Sequence, residues 1–213
     1  MNEADKPRPT LIYRITHIAN LPWVLKNGVC AADGAAVDPH FRAIGHPDVI
    51  ARRAEKMLPM TPDIALSALV PWYFCTRSVM LYNIATGYGC PKQNQDDVVY
   101  LVSSIEQLNA IRARYWISDR NAATARAVFF TADEPWRAAL NWHVIKGNDF
   151  KQDPEHPEWA QQRQAECLVF RQVPLSGILG IVCRTAAVQS QIQQILASQN
   201  VSLKTAVGPH YHF

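Results

Sequence analysis

The chain has 213 residues, 48% of them hydrophobic, with a formal net charge of +3 and a pI of about 8.6. That suits one globular domain spanning residues 1–213, and the mild positive charge permits a polyanionic partner without demanding one. No run of about 18 apolar residues occurs, which excludes a transmembrane helix. The opening MNEADKPRPT is polar and acid-bearing, unlike a secretory signal, so the expected compartment is the cytoplasm.

In chain order, LIYRITHI (11–18) reads as a strand with partial alternation. Asn20 is placed to cap a short helix that has Pro22 in its first turn and Gly28 at its end. VDPHFRAIG (37–45) is loop-like, and Pro47 opens a helix, PDVIARRAEKM. Asp48 and Arg52 form an i,i+4 pair facing solvent. Val49, Ile50, Arg53 and Met57 share the other face, so Arg53 is an arginine on an apolar stripe, directed toward the body of the protein.

VPWYFCTRSVMLYNI (70–84) begins as a buried strand and turns polar at TRS. DVVYLVSSI (97–105) and YWISD (115–119) are strands, and 132–144 has helical apolar spacing. KGNDFKQDPEHPEW (146–159) is a polar loop. Strands follow at 166–172 and 178–183, then a helix over 186–198 and a tail strand over 201–207. Strands and helices mix without regular βαβ alternation, which points to an α+β domain.

The five cysteines show no CxxC pair and suit reduced thiols, with Cys75, Cys167 and Cys183 in apolar runs. The seven histidines lack HExxH spacing, and no metal site is expected. Arginine outnumbers lysine fourteen to seven, and its planar fork suits phosphates and base edges. Within RQAECLVF (163–170), Glu166 stands at the mouth of an apolar run. Burying an unpaired carboxylate is expensive, so Glu166 lies at the strand's wet end or acts in a pocket.

The segments IYRITHIANLPWVLKNGV, ARRAEKMLP, VPWYFCTRSVMLYNI, VVYLVSSI, ISDRNA and RQAECLVF, in this order, resemble the DarT family of DNA ADP-ribosyltransferase toxins. The similarity runs from about Leu11 to the C-terminus. It implies an ADP-ribosyltransferase fold, with a split β-sheet cleft holding NAD and helices around it. Glu166 matches the family's catalytic glutamate, where a carboxylate stabilises the cation that develops at the ribose C1′ as nicotinamide leaves. Arg53 matches the arginine at the NAD site. Guanidinium stays protonated in proteins, so an electrostatic role suits it better than that of a general base.

By the same resemblance, Arg14, Ile15, Thr16 and His17 are NAD contacts. Residues 36–54 correspond to an NAD-covering element and 121–166 to the substrate-recognition loop. Single-stranded DNA is expected along 77–82, part of 148–152 and 160–164, with Arg77, Ser78, Met80, Tyr82, Asn121 and Arg163 as contacts. Arginines would take phosphates and aromatic side chains would pack on bases. Family members that modify thymine commonly carry a histidine where this chain has Asn121. Asparagine cannot shuttle protons as imidazole does, so the reading leans slightly to guanine over thymine. The implied partner is a macrodomain antitoxin. The alternatives are transfer to RNA or protein, or an inactive nucleic-acid-binding module.

Overall fold

Residues 8–34, 37–147 and 153–213 are described by the structure, a computed structural model. Among them the chain runs through Leu11–His17 (β1), Leu21–Asn27 (α1), Val29–Cys30 (β2), Pro47–Glu55 (α2), Met57–Leu58 (β3), Thr61–Ala65 (β4), Leu69–Tyr73 (β5), Val79–Thr86 (α3), Val98–Ser104 (β6) and Ile105–Ala110 (α4). It continues through Tyr115–Ser118 (β7), Phe129–Thr131 (β8), Trp136–Ala139 (α5), Trp142–Lys146 (α6), Trp159–Gln162 (α7), Glu166–Phe170 (β9), Gln172–Val173 (β10), Gly180–Cys183 (β11), Ala186–Ser198 (α8) and Lys204–Val207 (β12).

Eight strands share one sheet in the order β12-β11-β6-β1-β5-β9-β7-β8. Its ladders are antiparallel except β11–β12, the pair that α8 connects. A parallel pair needs such a crossover. Helix α8 forms because Thr185 caps it, accepting from Val188 N at 3.3 Å, and because Val188, Ile192 and Leu196 recur every four residues. That face is buried in the largest core cluster with Ile12, Val99, Leu101 and Ile181.

The sheet is split beside β1. Toward β6 the register runs unbroken from Leu11↔Ser104 to His17↔Val98, and Val98, Val99, Tyr100 and Leu101 are at most 1% exposed. Toward β5 the only register pair is Tyr13↔Tyr73. Pro71, in the middle of β5, explains part of this. Its carbonyl accepts from Arg14 Nη1 at 2.9 Å, so it faces β1. The N and C=O of a strand residue point to the same side, so the N–H that proline lacks is missing from this seam. A side chain bridges the gap where a ladder would otherwise run.

Two expectations need correction, and the 70–84 segment gains an element. It begins as the expected strand, β5, which ends at Tyr73, and Met80 and Tyr82 lie on a helix, α3, which the sequence reading did not place. Ser78 caps it by accepting from Leu81 N, and Gly87, at φ 83°, closes it. The 132–144 pattern is two short helices, α5 and α6, broken at Leu140; Asn141 caps the second by accepting from Val144 N. Asn20 makes no side-chain cap to α1. Its amide instead donates to Thr16 Oγ1 and to the Arg42 carbonyl, and accepts from Arg42 N. This ties β1 to the segment that precedes α2.

Candidate active site

Glu166 opens β9 between two neighbours in register, Tyr73 on β5 and Ser118 on β7. It is 1% exposed. Arg53, 113 residues earlier, reaches it from α2 with Nη1 2.9 Å from Oε2. Ala122 N donates to the other carboxylate oxygen, Oε1, at 3.4 Å. Desolvating two charges offsets much of their attraction, so a buried pair of this kind is a poor device for stability. Arg53 also keeps a buried Nη2 with no partner among the described residues. Buried donors almost always find an acceptor, and this one is available to a ligand.

The pair sits where two lobes of one cleft meet. One lobe has a volume of about 350 Å³ and is lined by Asn20, Trp23, Val29, Phe41 and Val70 among others. The other, about 190 Å³, is lined by Ile15, Tyr73, Met80, Asn121, Gln164 and Glu166. Arg14, Thr16, Arg53 and Pro71 line both, so the cleft follows the split between β1 and β5. Its size is that of a cavity for an extended small molecule. The apolar stripe of α2 faces this cleft and not the core: Ile50 lines both lobes and is 46% exposed. The inward turn of Arg53 is therefore a turn toward a cavity.

The cleft is electropositive. Arg14 lies deep within it, and its pKa is pushed down to about 10, first by burial and then by the charge of Arg53. It remains a cation at neutral pH. Lys56, just past α2, donates through Nζ to the carbonyls of Ala122 at 2.7 Å and Thr124 at 2.5 Å. Burial, and then Arg53, lower its pKa. Burial, and then Glu166, raise that of the Tyr73 phenol, which stays a neutral donor. Three cations thus surround one carboxylate, a field suited to an anion.

The structure brings most of the expected residues together. Arg14, Ile15, Thr16, Arg53, Met80, Asn121 and Glu166 all line the cleft. Asn121 is held in place: its Nδ2 donates to Gln164 Oε1 at 3.0 Å and its Oδ1 accepts from Ala123 N at 2.9 Å. Tyr82 is 46% exposed and stands edge-on to Phe213, and the Arg77 guanidinium lies 4.4 Å over that same ring.

Three others stand elsewhere. His17 lines neither lobe; its Nδ1 accepts from Ala19 N, capping the 18–20 turn. Ser78 is buried as the α3 cap. Arg163 is 6% exposed and donates to the Gly147 carbonyl, so it anchors the chain before 148–152 and does not present itself to phosphates. The 148–152 loop itself lies outside the described residues. Asn20, Lys56 and Tyr73 are cleft or cleft-bracing residues that the sequence reading missed, and Gln164, within the 160–164 stretch expected to meet DNA, lines the cleft. Among the described residues, no group of three or more His, Cys, Asp or Glu could hold a metal ion, and no helix is long and apolar enough to cross a membrane.

A sheet parted beside its N-terminal strand, with an arginine–glutamate pair in the parting, defines an ADP-ribosyltransferase-like protein. Comparison with known proteins makes this specific. The family described as "ssDNA thymidine ADP-ribosyltransferase, DarT" matches residues 13–213. A DNA ADP-ribosyl transferase of Thermus sp. (strain 2.9) is 34% identical over 190 residues, covering 89% of this chain and 88% of its own length. One from Escherichia coli O127:H6 is 29% identical over 208 residues, covering 97% and 95%. The solved Thermus sp. 2.9 DarT in complex with ADP-ribosylated ssDNA superposes with a TM-score of 0.87 at 28% identity, covering 97% of this chain and 98% of that one. Its complex with NAD+ gives 0.82. The chain belongs to the DarT family and is a DNA ADP-ribosyltransferase.

Proposed function

We propose that the protein takes ADP-ribose from NAD and attaches it to a base of single-stranded DNA, with residues 1–213 acting as one catalytic domain. The observation that carries this reading is the buried Arg53–Glu166 pair at the junction of the two lobes, with Arg53 Nη2 unused. When the bond from the ribose C1′ to nicotinamide breaks, positive charge grows on the sugar. Glu166, fixed by Arg53 and by Ala122 N–H, offers its carboxylate to the ribose hydroxyls and stabilises that charge. Nicotinamide leaves with the bonding pair, a nitrogen of the base bonds to C1′, and the base loses its proton. Arg53 and Arg14 hold the dinucleotide's anionic portion and stabilise the base as its negative charge forms.

The acceptor enters beside Met80, Asn121 and Gln164, all in the lobe that holds Glu166. An unpaired base is the sensible substrate, because a stacked duplex base cannot enter such a lobe. The family's description favours thymine. Guanine is the second reading, favoured by Asn121: its amide, fixed by Gln164 and Ala123, offers hydrogen bonds and no proton relay. In the cell the protein is the cytoplasmic toxin of a pair, with a macrodomain antitoxin that removes the mark.

The test is mass spectrometry of single-stranded oligonucleotides, each differing by one base, incubated with protein and NAD. Gain of one ADP-ribose on thymine-containing strands supports the first reading, and gain on guanine supports the second. No gain on any DNA, or preferential gain on RNA or protein, overturns both. Glu166→Gln lowers transfer by about 10²–10³-fold while DNA binding persists.

A further inference from the structure

The end of β9 opposite Glu166 carries a feature that the cleft does not use. Glu166, Leu168 and Phe170 alternate onto one face of the sheet, and Phe170 lies roughly 14 Å along the strand from Glu166. Leu58, Ile64 and Leu66 pack in one cluster with Leu168, so this end is separate from the lobe that holds Glu166. Here the Arg114 guanidinium lies 4.6 Å over the Trp116 ring and 5.5 Å from that of Phe170. Arg171 lies 5.1 Å over the same Phe170 ring. Arg112 follows α4, two residues before Arg114. All three arginines are exposed, and none forms an ion pair with a carboxylate among the described residues. Two guanidinium groups on one ring without a counter-charge repel each other, and an anion between them relieves this.

The backbone adds an independent sign. Three non-glycine residues among those described have positive φ: Arg112 at 54°, Arg171 at 61° and Asn200 at 56°. Asparagine is the side chain that tolerates this region; arginine is not. Arg171 is locked there, donating from N to the Ala68 carbonyl at 2.8 Å and accepting from Ala31 N at 2.7 Å. Arg112 donates from N to the Asn109 carbonyl, at a helix end where glycine or asparagine is usual. At two neighbouring positions the fold calls for a small, permissive residue, and both carry arginine.

We infer that Arg112, Arg114 and Arg171, with the Phe170 ring, form a second docking surface, which binds the phosphates of the substrate strand some nucleotides away from the target base. This rests on the reading of single-stranded DNA as substrate. Positive charge interleaved with an aromatic ring is the chemistry that holds single strands without reading their sequence.

The test uses the double variant Arg112→Asn/Arg171→Asn, because asparagine suits the left-handed backbone and the variant should melt no lower than wild type. Binding of a short oligonucleotide that fills only the cleft is compared with binding of a long one sharing its centre, across salt concentrations, alongside transfer to each. The expected result is a salt slope for the long strand smaller by about 0.7 per arginine removed, a severalfold higher KM for that strand, and unchanged kcat and short-strand behaviour. An unchanged slope and long-to-short ratio overturns the inference, as does equal loss on both strands. If wild-type protein binds DNA but transfers to none, the reading of the cleft fails, and the binding slope still judges this surface.

Discussion

Strand β1 has two neighbours and treats them differently. Toward β6 every residue from Leu11 to His17 is in register, and the opposing Val98, Val99, Tyr100 and Leu101 are dry. Toward β5 the ladder gives way after one pair, and the gap holds Arg14, Arg53 and Glu166. One strand thus anchors the fold on one side and forms a wall of the site on the other. The closed seam satisfies its backbone groups with each other and its side chains with apolar contacts. The open seam leaves polar groups to be satisfied by side chains from α2, by the 121–124 turn and by ligand. Changes on the closed seam should move stability, and changes on the open seam should move chemistry.

The sharpest separation comes from Glu166→Gln, which should lower transfer about 10²–10³-fold, the size expected for removing one charge-stabilising group. Its melting temperature should stay close to wild type; a large drop would mean that the open seam is structural after all. Ile12→Ala, on β1 opposite Ser103 of β6 and outside both lobes, should do the reverse, costing about 2–5 kcal/mol of stability with kcat per folded molecule unchanged. Denaturant unfolding and active-site titration separate the two quantities.

A smaller effect belongs to Lys56→Met. Lys56 touches no reacting atom but holds the carbonyls of Ala122 and Thr124, and Ala122 N–H contacts Glu166. Losing a charged hydrogen-bond donor of this kind should reduce transfer to DNA about tenfold, with NAD hydrolysis in the absence of DNA falling less. Equal loss in both assays would show that the turn serves Glu166 alone and not the acceptor.

The smallest effect tests the closed seam with acid. His212 Nε2 faces the Val98 carbonyl at 3.2 Å, and His17 pairs with Val98 in the register, so both rings guard the same end. Burial lowers the pKa of each; Arg42 lowers His17 further. Both are therefore neutral in the fold, while the unfolded chain takes up protons below about pH 6.5. Their contribution is complete above that pH and is lost as pH falls through it and toward the folded-state values. Melting temperature should decline below about pH 6.5 in wild type, and less steeply in His212→Gln.

Much of this was legible from residue order. The continuous apolar run of 98–102 and the four-residue spacing of 188, 192 and 196 mark elements whose burial depends on their own pattern. Arg53 could be aimed inward because Val49 and Ile50 share its face, though whether that face met core or cavity was not written in α2. Arg14, Ile15 and Thr16 line the cleft, whereas His17, at the end of β1, caps the 18–20 turn, and the resemblance to a family blurred that distinction. Lys56 and Arg163 were opaque for a different reason. Their acceptors are backbone carbonyls at Ala122, Thr124 and Gly147, and any residue can supply those. Helix α3 was hidden by β-formers, although Ser78 and Gly87 carried its boundaries.

Pro71 has one last implication. Because the imide nitrogen has nothing to donate, a continuous β1–β5 ladder would lack one of its bonds, and Arg14 occupies the Pro71 carbonyl in its place. A dinucleotide arriving there meets a mouth that is already parted.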